Sequence, residues 1–325
     1  MSETKSQENI YVNIDWFHST FLKTSLTDFR RYLAVFKELK VSKWLIFSDY
    51  CFDDPNKLYD ALTFTIVPYV NDFNELQQYI KNLAPKDLKK TKEVKPEFCE
   101  FIKSGYTFNI TVILNKNNKK FLPLNADNAI KEIETLQNIF ESWIINKPIN
   151  KEYYKTVLKK LKKLRQEAER PSFNLKLFKR LGLIQLLVAY IMAALTKECD
   201  YKIDNMGWFS DRDSLTTWMD GLINDLAFVC YDGICKAEKI DDNSATSFSI
   251  GAEGEKSKIL WYDELNRIPD FLTGALAGRN YVSATPDKYD KIFEQAICNN
   301  NNLTVIYCLE QDNGINSGRC TFIPN

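Results

Sequence analysis

Carboxylate residues at the ends of predicted elements are the residues best suited to chemistry in this sequence. They are Asp15 after a predicted strand, Glu93 in a polar stretch, Asp211 and Asp213 at a strand-to-helix junction, and Asp270 at a predicted helix start. Mg²⁺ and Mn²⁺ take such oxygen ligands, and two ions together can hold the attacking water and the leaving oxygen of a phosphodiester. Without a metal, converging carboxylates would repel each other. For each single Asp, a helix cap or a surface position is the competing interpretation.

A second constellation places His18 beside Ser19 and three residues after Asp15. These are the residue types of a Ser-His-Asp hydrolase, but the partners of such a triad converge from separate segments, and the sequence has no Gly-x-Ser-x-Gly elbow. A metal-independent hydrolase using His18 is therefore the weakest hypothesis. The phosphate-binding patterns Gly-x-x-x-x-Gly-Lys-Ser/Thr and Gly-x-Gly-x-x-Gly are also missing from the sequence, which disfavours NTPases and Rossmann enzymes.

Charge is balanced over the whole chain but segregated along it. The 325 residues carry 43 Lys and Arg against 43 Asp and Glu, so nucleic acid could bind only at a local patch. Residues 147–180 hold twelve basic and three acidic side chains, a net charge of +9, whereas residues 198–242 have a net charge of −7. The basic segment predicts an arm that tracks phosphates; the alternative is an ordinary solvated helix face. The lysines concerned are Lys159, Lys160, Lys162 and Lys163.

Several features indicate a soluble intracellular protein. The first nine residues are polar, without the apolar region of a secretory signal, and we expect residues 1–9 to be disordered. The longest uncharged run, 181–196, falls short of the roughly 18 residues that suggest a spanning helix, so it predicts a buried core helix. The eight cysteines form no dense framework, which favours reduced thiols and a cytoplasmic location.

Hydrophobic periodicity predicts an α/β chain with a helical block in its middle. We expect a core formed by residues 10–126 plus 198–325 and a helical insertion at 127–197. Pro269 is expected in the first turn of its helix. The predicted strands are 10–16, 43–49, 61–70, 108–114, 201–209, 246–250, 258–262 and 303–309, and the predicted helices are 29–39, 74–83, 129–145, 152–169, 175–196, 214–229 and 269–277.

The order of these motifs resembles a family of prokaryotic and phage proteins, domain-of-unknown-function family 3800, which has a ribonuclease-H-like fold. Asp15 fits the Asp that ends the family's first strand, and Glu93 with Lys95 fits its Glu-x-Lys segment. TrpPheSerAspArgAspSer supplies Asp211 or Asp213, and ArgIleProAspPheLeuThrGlyAlaLeuAla looks like the closing motif around Asp270. The family's Glu and Gly after the first Asp are absent here, because Trp16, Phe17 and His18 follow Asp15.

The resemblance implies a ribonuclease-H-like mixed sheet with flanking helices and a helical insertion. It implies a nuclease dependent on Mg²⁺ or Mn²⁺ that cleaves nucleic-acid phosphodiesters, in phage defence or in a mobile element. Asp15, Asp211 and Asp270 would bind metal, Glu93 and Asp213 would join the catalytic set, and Lys95 would contact a phosphate. The alternative is a catalytically degenerate binding or scaffold module in a defence complex with a partner protein, which the missing Glu and Gly favour.

Overall fold

Seven strands form one mixed sheet in the described part of the chain. The computed structural model describes residues 14–70, 72–116, 125–211, 215–240, 245–250, 260–279, 288–311 and 314–324. The order across the sheet is β5-β4-β1-β2-β3-β6-β7. The strands are β1 Lys43–Cys51, β2 Tyr59–Pro68, β3 Phe108–Asn115, β4 Ile203–Ser210, β5 Ala245–Ile250, β6 Leu303–Gln311 and β7 Gly314–Cys320.

The strand directions divide the sheet into a central meander and parallel additions. β1, β2 and β3 are antiparallel neighbours joined in chain order. β4 is parallel to β1, and β5 is parallel to β4. On the other side, β6 is parallel to β3 and antiparallel to β7. The mixed α/β class expected from the sequence is therefore confirmed.

Ten α-helices are seen among the described residues. They are α1 Asp15–Thr24, α2 Leu26–Lys37, α3 Phe73–Leu83, α4 Pro96–Lys103, α5 Ala126–Asn146, α6 Lys151–Ala168, α7 Leu175–Glu198, α8 Leu222–Ala237, α9 Asp263–Gly278 and α10 Lys288–Ile292. Short 3₁₀ turns cover Leu88–Lys90 and Pro148–Asn150, and a π-helical turn, Phe293–Ile297, continues α10.

The two faces of the sheet are covered by different helices. One face packs against α1, α2, α7 and part of α8 in a core that contains Trp44, Phe64 and Trp208. The other face packs against α3, α4 and α9 in a core that contains Phe47 and Phe271. This alternation of buried side chains to both faces explains why the central strands are nearly continuous apolar runs.

The helix α7 is the centre of the first core. Within the described residues it is the one helix long and apolar enough to cross a membrane, and 78% of its most apolar 18-residue window is buried. Its side chains pack on the strands and on α1, α2 and α8. It is a core helix consistent with a soluble protein, as the uncharged run predicted.

The helices α5 and α6 form a lobe with α8. Their buried residues, such as Phe140 and Leu161, share a third apolar cluster with Leu226, and no strand residue belongs to it. Residues 127–197 thus include two kinds of helix: α5 and α6 belong to the lobe, whereas most of α7 lies in the core of the sheet. Residues 1–9, for which disorder was expected, lie outside the described residues.

Four expectations about elements are wrong. In the predicted strand at 10–16, residues 10–13 lie outside the described part, and Asp15 and Trp16 begin α1, which buries Phe17 and Phe21 one turn apart. In the predicted strand at 258–262, the described residues from 260 onward form a turn. α8 begins at Leu222 rather than 214. Pro269 lies inside α9, whose first turn starts six residues earlier.

Candidate functional site

Two parallel strands bring a pair of carboxylates to one edge of the sheet. The parallel pairing of β1 and β4 ends at Ser48 and Ser210. The next residues along the two strands, Asp49 and Asp211, are therefore neighbours across the pair. Phe47 lies in the core under α9, and the alternation of a strand turns Asp49 toward that same face. The carboxyl ends of neighbouring parallel strands are where ligand sites of open sheets lie.

The helix α9 crosses this edge with a polar stripe. Asp263, Asn266, Asp270 and Thr273 recur at spacings of three and four residues, which puts them on one side of the helix. The Thr273 hydroxyl donates a hydrogen bond to the backbone carbonyl of Asp49 over 3.3 Å. The stripe therefore runs along the end of β1, and its apolar opposite side is buried in the core.

A short 3₁₀ turn, Leu88–Lys90, holds the Asp270 carboxylate from the other side. The backbone N–H of Leu88 donates to Asp270 Oδ2 over 2.7 Å. Close approach is possible because residue 274 is glycine: a Cβ there would lie 2.3 Å from Leu88 Cδ2. The turn also brings Asp87 and Lys89 into the electrostatic surroundings of Asp270.

The charge of Asp211 contributes to a raised pKa at two other carboxylates of this edge, Asp263 and Asp270. Burial, together with the charges of Asp87 and Asp211, raises the pKa of Asp270 to about 6, against the lowering effect of the hydrogen bond from Leu88. Burial also raises the pKa of Asp263, and Asp211 adds to this rise. Each of these carboxylates is therefore harder to ionise than in water, which is the situation that a bound cation would relieve.

Asn266 adds a buried polar group without a partner. Its residue is 7% exposed, and neither its amide nitrogen nor its amide oxygen has a hydrogen-bond partner among the described residues. Leaving such a group unsatisfied costs on the order of 1–3 kcal/mol. It lies one helical turn before Asp270 and one turn after Asp263, so the unsatisfied amide belongs to the same polar stripe.

The donors of this edge fit a hard cation in kind but are not drawn together into a coordination shell. Among the described residues, no three His, Cys, Asp or Glu side chains form a group that could hold a metal. Carboxylate and amide oxygens are nevertheless the ligands that Mg²⁺ and Mn²⁺ prefer. We name Asp49, Asp211, Asp263, Asn266 and Asp270 the acidic edge.

Asp15 lies away from the acidic edge. It begins α1, whose next residue, Trp16, accepts a hydrogen bond from Ser317 in β7 over 2.8 Å. β7 and β4 are separated by five strand spacings of about 4.8 Å, or about 24 Å. The structure therefore does not bring Asp15 to Asp211, and Asp49 holds the strand-end position next to Asp211 instead. The signal for Asp49 was present in the sequence, since it closes the predicted strand 43–49.

Glu93 and Lys95 also have other partners. The Glu93 side chain is 85% exposed and forms an ion pair with Lys291 at 3.4 Å. The Lys95 ammonium donates to the carbonyl of Asn82 over 2.7 Å, near the end of α3. Neither side chain joins the acidic edge. Asp213 lies outside the described residues.

The lysines of α6 divide into one structural residue and three exposed ones. Lys160 pairs with the buried Asp225 at 2.9 Å and also donates to the carbonyl of Asp220 over 2.7 Å. Lys159, Lys162 and Lys163 are exposed and make no ion pair or hydrogen bond with the described residues. We call these three the lysine face, and Lys160 does not belong to it.

His18 contacts none of the acidic edge. Its Nδ1 lies 2.9 Å from the Tyr190 hydroxyl on α7, and the two rings meet edge to face. His18 belongs to α1, so it shares a helix with Ser19 and Asp15. Ser19 directly follows His18, and side chains at successive positions of a helix do not face each other, which disfavours a triad that contains both.

Comparisons with known proteins add no relative. No family model matches the chain, and no curated protein or solved structure matches it significantly.

Proposed function

We propose that this protein is a divalent-metal-dependent hydrolase of nucleic-acid phosphodiesters with a ribonuclease-H-like sheet. The observation that carries the proposal is the acidic edge, where the charge of Asp211 helps raise the pKa of Asp263 and Asp270. The buried Asn266 amide lies between these two residues on α9 and has no hydrogen-bond partner among the described residues. A biological setting in phage defence or in a mobile element is part of the same proposal.

The order of elements supports the resemblance to family 3800 once β1 is taken as its first strand. β1 ends near Asp49, β2 pairs with it, and Glu93 and Lys95 precede α4 and β3. The helices α5–α7 follow, then β4 before Asp211, then α8, and α9 supplies Asp270. In this arrangement Asp49 replaces Asp15, and the family's Glu and Gly are again absent, since Tyr50, Cys51 and Phe52 follow.

Within the proposal, the residues of the acidic edge have separate tasks. Asp49, Asp211 and Asp270 would hold the metal, with the Asn266 amide oxygen as a further neutral donor. A bound Mg²⁺ or Mn²⁺ would supply an activated water and stabilise charge on the phosphate. The Leu88 N–H keeps the Asp270 carboxylate in place through its 2.7 Å hydrogen bond.

The lysine face supports a nucleic-acid partner. Lys160 of α6 donates a hydrogen bond to the carbonyl of Asp220, just before α8. The second half of α6 therefore lies near the start of α8. α8 follows β4 in the chain, so the segment that leads from Asp211 into α8 connects the acidic edge to the turn that Lys160 contacts. Three unpaired ammonium groups there would attract a polyanion and release its counterions.

The experiment that tests the proposal is metal-dependent cleavage of single- and double-stranded DNA and RNA by purified protein. We expect activity with Mn²⁺ or Mg²⁺ that is lost with chelator and falls at least a hundredfold in Asp49→Asn and in Asp270→Asn. Asp15→Asn is the matched control, because it removes an Asp about 24 Å away by the strand count, and it should keep wild-type activity. Full activity in Asp49→Asn and Asp270→Asn would refute the assignment.

A second candidate function is a catalytically degenerate ribonuclease-H-like module that binds nucleic acid or a protein partner. It is favoured by the lack of a three-ligand metal group among the described residues and by the missing Glu and Gly. Nucleic-acid binding that does not change with chelator, with no cleavage under any of the metal conditions, would identify this function.

The lysine face gives a readout that separates binding from cleavage. We expect the triple variant K159Q/K162Q/K163Q to lose affinity for nucleic acid in either function. A second triple variant, K23Q/K40Q/K239Q, removes the same charge from exposed lysines elsewhere and should bind as wild type. Equal affinity of the two triple variants would show that α6 does not contact the nucleic acid.

A further inference from the structure

A small cavity lies among the four helices α5–α8, apart from the acidic edge. Its wall is mostly apolar, including Leu136, Phe178 and Leu226, with two polar groups, Glu132 and Gln185. The cavity has room for roughly one water molecule. Cavities between facing helices of a bundle, apolar with a few convergent polar groups, are a recurrent setting for ligand sites.

Gln185 carries an unsatisfied acceptor into this cavity. The residue is only 4% exposed, and its side-chain oxygen has no hydrogen-bond partner among the described residues. Burial raises the pKa of Cys230 on α8, and a hydrogen-bond contribution from the Gln185 side chain lowers it. Gln185 therefore lies between Cys230 and the cavity, and its side-chain oxygen is the atom left for a donor.

Glu132 is the second acceptor of the cavity. It enters from α5, opposite Gln185 on α7, and makes no hydrogen bond or ion pair with the described residues. Burial raises the pKa of its carboxyl group to about 7, because the surroundings of the cavity disfavour the charged form. An unpaired charge in apolar surroundings is costly, and a cationic donor would remove the cost.

We propose that this cavity binds an ammonium group, held by the Glu132 carboxylate and the Gln185 amide oxygen. The site presents two acceptors, and its carboxylate is negative when ionised, so an ammonium group supplies both the donors and the charge that complement it. The ammonium ion is close to a water molecule in size, which is the space available. The aromatic rings of Phe178 and Trp218 line the same cavity, and aromatic faces attract cations.

The site would also contact the connection that follows the acidic edge. Trp218 and Leu222 in the cavity wall belong to the segment that leads from Asp211 into α8. The inference does not depend on the proposed hydrolysis, since it rests on the cavity and its two acceptors alone.

The first test compares thermal unfolding of the full chain in ammonium chloride and in potassium chloride at equal concentration and pH 8. Potassium has similar size and the same charge but no N–H groups. We expect a higher unfolding temperature in ammonium chloride, a difference that disappears in Glu132→Gln and in Gln185→Leu. Glu141→Gln, an exposed position on the same helix, is the control and should keep the difference.

A second measurement needs no variant. Protein in ¹⁵N-ammonium chloride should show a protected ammonium resonance that potassium chloride does not displace at equal concentration. Equal unfolding temperatures in both salts together with no protected resonance would show that the cavity holds water only, and displacement by potassium would show a site without donor selectivity. Either result would overturn the proposal.

Discussion

Lys160 is expected to stabilise the helical lobe rather than to bind nucleic acid, and the substitution Lys160→Met tests this. The Lys160 side chain is 20% exposed and that of Asp225 is 8% exposed, so the ion pair between them lies mostly out of water. Its ammonium group also satisfies the carbonyl of Asp220 at the turn before α8. Lys160→Met keeps the length and the apolar stem of the side chain but removes both interactions.

The magnitude follows from what remains around Asp225. Removing one partner of a buried ion pair costs about 3–5 kcal/mol when the other charge is left unpaired. Here the Tyr153 hydroxyl still donates to Asp225 over 2.7 Å, and Lys160 is partly hydrated. We therefore expect Lys160→Met to lower the free energy of unfolding by about 2–3 kcal/mol. Lys159→Met, at an exposed neighbouring position, should change it by less than about 0.5 kcal/mol.

Urea unfolding measures the stability of both variants. A shift in the midpoint, with no change in the slope of the free energy of unfolding against urea concentration, reports a change in stability. The double variant Lys160→Met with Asp225→Asn should recover part of the loss, since the unpaired charge is gone. Equal midpoints for Lys160→Met and Lys159→Met would refute the reasoning, because the pair would then contribute nothing to the lobe. Wild-type affinity of Lys160→Met for nucleic acid would agree with its exclusion from the lysine face.

Three further predictions concern other parts of the molecule. The wild type should lose stability as pH rises from about 4.5 through 7, because the raised pKa of Glu132 stabilises the fold only while its carboxyl group is protonated. Glu132→Gln should remove this loss. Since the residue is partly exposed, we expect the free energy of unfolding to change by about 2 kcal/mol between pH 5 and pH 8, measured by urea unfolding. Gly274→Ala should destabilise the fold by about 1–3 kcal/mol, measured by thermal unfolding, because the new methyl group would force the buried Leu88 side chain to move. In duplex binding, replacing the lysine face should make the slope of log affinity against log salt concentration shallower by about three, measured by titration at several salt concentrations.

The sequence predicted those elements whose apolar residues follow one period and face one core. In α5, Ile133, Leu136 and Phe140 recur at helical spacing and are all buried. The strand 43–49 was recognised because β1 is a continuous apolar run, buried between helices on both faces. These elements depend on local pattern, and the tertiary structure agrees with that pattern.

Elements were missed where the local pattern was ambiguous or silent. Residues 10–16 alternate like a strand, but Phe17, Thr20 and Phe21 beyond them have helical spacing, and their burial places Asp15 in α1. The edge strand β7 is rich in Gly, Ser and Asn, and it joins the sheet through backbone pairing with β6. Its side chains offered no apolar alternation to recognise.

The acidic edge could be predicted only in part, because it depends on strand order. Asp211 and Asp270 were candidates from their positions at element ends, and both lie at this edge. Asp49 joins them because β4 pairs in parallel with β1, a pairing between segments about 160 residues apart that no local pattern reveals. Asn266 could not be distinguished by type, since its importance lies in an amide left without partners.

The basic segment and the acidic segment of the chain form ion pairs with each other across the lobe. These pairs separate the charges that stabilise the fold from those that could bind a ligand. The acidic segment 198–242 supplies Asp225 and Asp232, and lysines from the basic segment, Lys160 and Lys147, pair with them across the lobe. Ion pairs between these two segments therefore link α6, and the connection between α5 and α6, to α8. The lysine face has no such partner among the described residues, and burial together with the charge of Asp211 raises the pKa of both Asp263 and Asp270. Within the proposed function, a phosphate would complement the lysine face and a metal ion would complement the carboxylates of the acidic edge.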